Sequence, residues 1–155
     1  MLRLSRRSAM LAVTITAGSV VAATAALAQG TDDYMRTAGG LGVYLGVMPA
    51  ELVKGQPVMH GGVPAGRHED HIVVAIFDAA SGARVSDATV TARVSGLGLS
   101  GSEKTLEPMN IADTVTYGGF FNLPGADLYT IRVTVRRTPS QQPVVLDFRY
   151  DHRHL

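Results

Sequence analysis

The feature that most constrains the fold is a set of short segments whose apolar side chains alternate with polar ones. In segment 89–95, Val90, Ala92 and Val94 share one parity, and polar residues occupy the other. Segments 129–136 and 144–150 alternate in the same way. Because successive side chains of a strand point to opposite faces, this pattern predicts strands with one buried and one solvated face.

Glycine, proline, asparagine and aspartate separate these segments, and no stretch of the mature chain has a convincing helical period. Segment 71–78 is apolar on both parities from Ile72 to Phe77, which is typical of a central strand. The predicted strands are 41–48, 71–78, 89–95, 103–109, 115–121, 129–136 and 144–150. We therefore predict an all-β fold, an immunoglobulin-like antiparallel β-sandwich of about seven strands, with a small barrel as the alternative.

Tyr129 stands directly before an alternating strand, after Asp127 and Leu128. Sandwiches often place a tyrosine at such a corner, with its hydroxyl hydrogen-bonded back to the backbone of the preceding turn. We predict that Tyr129 is a corner of this kind. The alternative is an ordinary core tyrosine at the start of a strand.

The N-terminal 28 residues have the pattern of a signal peptide. Arg3, Arg6 and Arg7 precede a weakly apolar stretch at 9–26, and Ala26-Leu27-Ala28 forms an A-x-A cleavage site. We predict cleavage before Gln29 and export to the periplasm. The export route is either the general secretory one or the twin-arginine one, and a retained membrane anchor is the alternative to cleavage.

Four regions follow from these boundaries. We assign residues 1–28 to the signal peptide, 29–40 to a flexible leader, 41–151 to the sandwich and 152–155 to a C-terminal tail. Removal of the signal takes away three arginines and no acid, which changes the formal charge from +1 to about −2. The remaining arginines are dispersed, so we expect no nucleic-acid partner, and a membrane contact only if the signal is retained.

The mature chain carries no motif of a known catalytic site. It has no serine on a nucleophile elbow, no phosphate-binding glycine loop, no H-E-x-x-H and no calcium loop. Cysteine is absent, which excludes disulfides, thiolate nucleophiles and cysteine metal sites. We therefore expect a protein that is not an enzyme.

Metal-capable side chains are concentrated in and beside a Gly- and Pro-rich segment at 49–69. The candidate ligands are His60, His68, His71, Met59, Met48 and Met109. A cysteine-free set of thioethers and imidazoles suits copper, whereas His60, His68 and His71 with a carboxylate would suit zinc. The alternative is that the histidines are solvated loop residues and the methionines fill the core.

Two turn-and-strand motifs carry a resemblance to a known class of domain. The first runs from Phe77-Asp78 through Ser81-Gly82 to Val85, Asp87-Ala88 and Val90, and the second from Leu123-Pro124-Gly125 to Tyr129-Thr130-Ile131. With these, residues 41–150 resemble small periplasmic immunoglobulin-like domains, some of which belong to copper-resistance and metal-uptake systems. The chain departs from such copper carriers in lacking a histidine at the mature N-terminus and a tight methionine-rich cluster.

Together these patterns predict an exported, periplasmic, non-enzymatic domain that binds or delivers a transition metal, with a copper ion as the expected ligand. The alternative is a structural or interaction module without a metal, whose strand edges or Gly- and Pro-rich loop dock a partner protein of the cell envelope. Convergence of the histidine nitrogens and a methionine sulfur would favour the first hypothesis. An exposed apolar patch would favour the second.

Overall fold

The computed structural model describes residues 34–53, 68–111, 113–125 and 127–154. The described chain consists of antiparallel strands and two short 3₁₀ turns, so the predicted all-β class is confirmed. The 3₁₀ turns are Ala50–Val53 and His152–His154. The strands are β1 (Met35–Ala38), β2 (Leu41–Pro49), β3 (Glu69–Asp78), β4 (Thr89–Gly96), β5 (Ser102–Ile111), β6 (Thr114–Asn122), β7 (Leu128–Arg136) and β8 (Val144–Asp151).

The eight strands form one sheet in the order β1-β2-β3-β6-β5-β4-β7-β8, and β5 belongs to both halves of it. Its first half pairs with β4, from Ser102 to Leu106, and its second half pairs with β6, from Glu107 to Ile111. The two edge strands come together where Arg36 Nε of β1 donates to the Asp147 carbonyl of β8 at 3.2 Å. The sheet therefore folds into two layers that nearly close, an architecture between the predicted sandwich and a small barrel.

The core lies between the two layers and follows the alternation of the sequence. Ile72, Val74 and Ile76 of β3 face Ile131 and Val133 of β7 across a common apolar cluster. Each fully buried aliphatic side chain contributes about 1.5–3 kcal/mol relative to an exposed one. The Tyr129 hydroxyl donates to the Pro124 carbonyl at 2.7 Å, which confirms the predicted tyrosine corner.

One strand lies within the range predicted as a flexible leader. Met35–Ala38 form β1 and pair with β2, with Ala38 directly opposite Leu41. The turn between them consists of Gly39 and Gly40, both at positive φ, which suits a two-residue hairpin that matches the twist of a sheet. The leader of 29–40 is thus corrected at its C-terminal end, because this double glycine closes a hairpin instead of extending a linker.

The start of the predicted C-terminal tail is fixed to the end of the sandwich. His152 Nδ1 hydrogen-bonds the Gly125 carbonyl at 2.7 Å, and the His152 amide donates to the Asp127 carbonyl at 3.0 Å. Within the described ranges, no helix is long and apolar enough to cross a bilayer. The predicted signal peptide lies outside the described residues.

Candidate metal site

His71 is buried on the outer face of its layer. Because Ile72 and Val74 face the core, the alternation of β3 turns His71 to the opposite side. There it lies in register with Met48 of β2 on one side and with Phe120 of β6 on the other. The rings of His71 and Phe120 stack at 4.7 Å between centroids with a 30° tilt, and His71 is 0% exposed.

A small apolar cluster lies on this outer face and includes Phe120, on which the histidine stacks. Ala50 and Val53 of the 3₁₀ turn after β2 pack on Phe120, and Met48 packs against the same group. The turn therefore folds back over the end of β3, where an outward-facing residue would otherwise meet water. We call this group of Met48, Ala50, Val53, His71 and Phe120 the outer cluster.

Neither ring nitrogen of His71 has a hydrogen-bond partner among the described residues. Among the described residues, one other buried side-chain atom, Oε2 of Glu69, also lacks a hydrogen-bond partner. Glu69 lies two residues earlier on the same strand. Burial lowers the pKa of His71 from its usual 6.5, so the ring is neutral at pH 7, with one nitrogen able to accept or to coordinate. Leaving such a buried group unpaired costs about 1–3 kcal/mol, so the site calls for an additional partner.

The Met109 thioether and the His71 ring both approach the backbone of β6 at Gly118. Met109 is 2% exposed, on the half of β5 that pairs with β6. A Cβ built on Gly118 would lie 2.8 Å from His71 Nε2 and 3.0 Å from Met109 Sδ. The two donor atoms are thus separated by no more than the sum of these distances, and both border the same small volume.

The structure brings three of the six predicted ligands to one face and separates a fourth from them. Met48, His71 and Met109 share the outer face, whereas His68 is exposed and lies three residues from His71, on the opposite parity. Met59 and His60 lie outside the described residues. Among the residues described, no three His, Asp or Glu side chains come close enough to hold a metal ion.

Asp70 is next to His71 in sequence but faces the other way. It is 3% exposed and lies 3.6 Å from His152 Nε2, measured from Oδ2, at the end of the core. Burial raises the pKa of Asp70, and the nearby His152 opposes this shift. Asp70 is therefore part of the anchor of the C-terminal tail and is separate from the outer cluster.

Gly118 and Phe120, which approach and stack on His71, were not predicted as functional from the sequence. Gly118 has a signal of its own, because a glycine inside a β-strand often marks the close approach of another group. Phe120 has none, since an aromatic residue in an apolar strand is ordinary. Their relation to His71 depends on β3 and β6 being neighbours, a pairing between segments that are far apart in sequence.

The donor set is chemically soft. A neutral imidazole nitrogen and a thioether sulfur favour copper over the hard ions that prefer oxygen, and thioethers favour Cu(I) in particular. With the apolar Phe120 and Val53 beside it, the site would surround a bound ion with a low-dielectric environment. The residues present therefore fit a copper ion.

No protein-family model and no curated protein sequence matches the chain. Several solved structures share its fold at low sequence identity, each covering 76% of this chain. A copper-bound variant of FetP from uropathogenic Escherichia coli strain F11 has a TM-score of 0.61, 13% identity and 92% of its own chain covered. Copper-reconstituted P19 from Campylobacter jejuni gives 0.62, 12% and 91%, and a DUF4426 family protein from Pseudomonas aeruginosa PAO1 gives 0.54, 15% and 94%. The chain thus shares the fold of these proteins along most of their lengths.

Proposed function

We propose that this chain is an exported, periplasmic, non-enzymatic protein that binds copper and passes it on, with His71 and Met109 as ligands and Met48 beside them. The observation that carries the proposal is the fully buried His71 ring, whose two nitrogens have no partner in the described chain. A buried imidazole in that state costs stability unless a ligand uses it.

The second donor supports a soft metal over a water molecule or another hydrogen-bond partner. A thioether is a weak hydrogen-bond acceptor but a good copper ligand, and Met109 Sδ borders the volume that His71 Nε2 also borders. Met48, directly opposite His71 on β2, supplies a second thioether on the same face. Structures with this fold include a copper-bound FetP variant and copper-reconstituted P19, which agrees with the proposed metal.

The test is a competition titration of the purified, untagged chain with Cu(I), Cu(II) and Zn(II) against chelators of known affinity. We expect one Cu(I) per chain. We also expect that His71→Ala and Met109→Leu each weaken binding by at least about tenfold, since each removes one ligand. Unchanged Cu(I) binding in both variants would contradict the proposed site.

Matched controls separate loss of a ligand from loss of structure. His68→Ala removes an exposed histidine from the start of the same strand region, and Met35→Leu removes a thioether that is 43% exposed on β1. Both variants should bind Cu(I) like the wild type. Circular dichroism of all four variants, recorded without metal, shows whether the fold is retained.

A second candidate function is docking of an envelope protein partner without a metal. A groove of about 560 Å³ lies on the outer face of β1–β3, lined by apolar residues that include Met35, Tyr44 and Phe77. Met35 and Tyr44 are 43% and 47% exposed, which is unusual for large apolar side chains that share one groove. A chain that binds no Cu(I), but is cross-linked in cells through a photoreactive residue at Tyr44, would favour this function over the first.

A further inference from the structure

Gly118 lies in the middle of β6, where glycine is an unfavourable choice. Six glycines in the described turns and loops have a positive φ, and Gly118 is not one of them. The backbone at position 118 would therefore accept any ordinary residue. Glycine inside a strand costs stability, because it loses more conformational freedom on folding and packs no side chain. The backbone conformation therefore does not explain this glycine.

The space beside Gly118 gives a different reason. A methyl group there would collide with Cε of Met109 and would lie 2.8 Å from His71 Nε2 and 3.0 Å from Met109 Sδ. Real Cβ atoms essentially never come closer than 3.0 Å to another heavy atom. The neighbouring Gly119 faces the core instead, where a Cβ would come 3.1 Å from Leu106 Cδ2.

These contacts coincide with the two donor atoms of the proposed site. We infer that Gly118 is a positioning residue for the metal, because a side chain there would enter the space in which His71 Nε2 and Met109 Sδ approach each other and in which an ion held by both would lie. The inference rests on the proposed function and adds a residue that contributes no ligand atom. It predicts that a single methyl group at position 118 excludes the ion even when every ligand is present.

The experiment compares Gly118→Ala with Gly46→Ala. Gly46 is also in a strand of this layer, and a Cβ there would meet nothing closer than the Val73 carbonyl, at 3.9 Å. Affinity is measured with Ag(I), a stand-in for Cu(I) that resists oxidation, by competition at pH 7. We expect Gly118→Ala to weaken binding by at least about tenfold and Gly46→Ala to leave it unchanged.

A second pair of variants tells whether the added methyl group acts on the ion or only displaces Met109. In Met109→Ala, the Cε that collides with the methyl group is gone, so Met109→Ala/Gly118→Ala removes the closest overlap, keeps the 2.8 Å approach to His71 Nε2, and should fold. If the ion lies above Gly118, this double variant binds Ag(I) at least about tenfold more weakly than Met109→Ala alone. The Met109 Cε methyl and His71 ring signals, followed by NMR during the titration, report ligation independently.

The outcomes distinguish this inference from the proposed function. Wild-type chain that binds no Ag(I) overturns both. Wild-type binding that Gly118→Ala leaves unchanged overturns the role of Gly118 and leaves the copper site standing. The role of Gly118 is also overturned if Gly118→Ala weakens binding in the wild type but not in the Met109→Ala background, because the methyl group would then act only by moving Met109.

Discussion

The two faces of the β3–β6 layer are both buried near His71, but they satisfy their polar groups differently. On the inner face, Ile72 and Phe121 pack among apolar neighbours, and the Tyr129 hydroxyl at the end of the same core has its acceptor at 2.7 Å. On the outer face, His71 is equally buried, and neither nitrogen is paired within the described chain. The inner face is built for stability, whereas the outer face accepts a cost in stability that a ligand would offset.

The strongest test of this contrast removes an aromatic side chain from each face. Phe121→Ala should lower the free energy of unfolding by about 3–5 kcal/mol, because Phe121 is fully buried between the layers. Phe120→Ala should cost less, since its cluster consists mainly of Ala50, Val53 and Met48. Urea unfolding of metal-free protein measures both. Equal losses would mean that the outer cluster is as tightly packed as the core.

Replacement of His71, whose ring has no partner in the described chain, should have the opposite sign. His71→Leu fills a similar volume without polar atoms, so it should raise the free energy of unfolding of the metal-free chain by about 1–3 kcal/mol while abolishing copper binding. His68→Leu, at an exposed position, should change stability by less than about 0.5 kcal/mol. A loss of stability in His71→Leu, measured in urea with a chelator present, would mean that the ring has a partner outside the described ranges.

The pH dependence of stability should isolate the same ring. Because burial lowers the pKa of His71 below 6.5 in the folded chain, the unfolded chain binds the extra proton first as the pH falls. The folded chain is therefore destabilised below pH 6.5, by at most about 1.4 kcal/mol per pH unit, and this ring has no effect above it. The measurement is the difference in unfolding free energy between wild type and His71→Leu from about pH 8 to about pH 5. A constant difference would contradict the shift.

A satisfied buried hydroxyl provides the smallest of these effects. Tyr129→Phe removes the hydrogen bond to the Pro124 carbonyl and should lower the free energy of unfolding by about 0.5–1.5 kcal/mol. Thermal unfolding detects a change of this size. Opposite signs for Tyr129→Phe and His71→Leu would establish that pairing, and not polarity itself, separates the two faces.

The strands were largely predictable because their signal is local. Alternation, the apolar run at 71–78 and the turn residues between segments place β2 to β8 to within two residues at each end. The corner tyrosine follows from its position before an alternating strand. β1 was missed because it has four residues, two of them the polar Arg36 and Thr37, and its burial is partial. Its signal was the double glycine at 39 and 40, which equally suits a linker.

The site was less predictable because it depends on contacts between distant segments. The sequence nominates both His68 and His71, and only the start and parity of β3 decide that one is exposed and the other buried. Met109 reaches His71 because β6 lies between β3 and β5, an order that no local pattern specifies. Gly118 matters through the side chain it lacks, so its role emerges only when its neighbours are known.

The division of β5 between the two layers also bears on how the domain opens. Its backbone amides and carbonyls hold β4 up to Leu106 and β6 from Glu107 onward, so neither layer can detach while this strand stays intact. Amide exchange of the paired residues of β5 should accordingly be slowed on both sides of the junction between Leu106 and Glu107. Met109 lies just beyond this junction, so opening the backbone that carries its thioether would first have to break the pairing of β5 with β6.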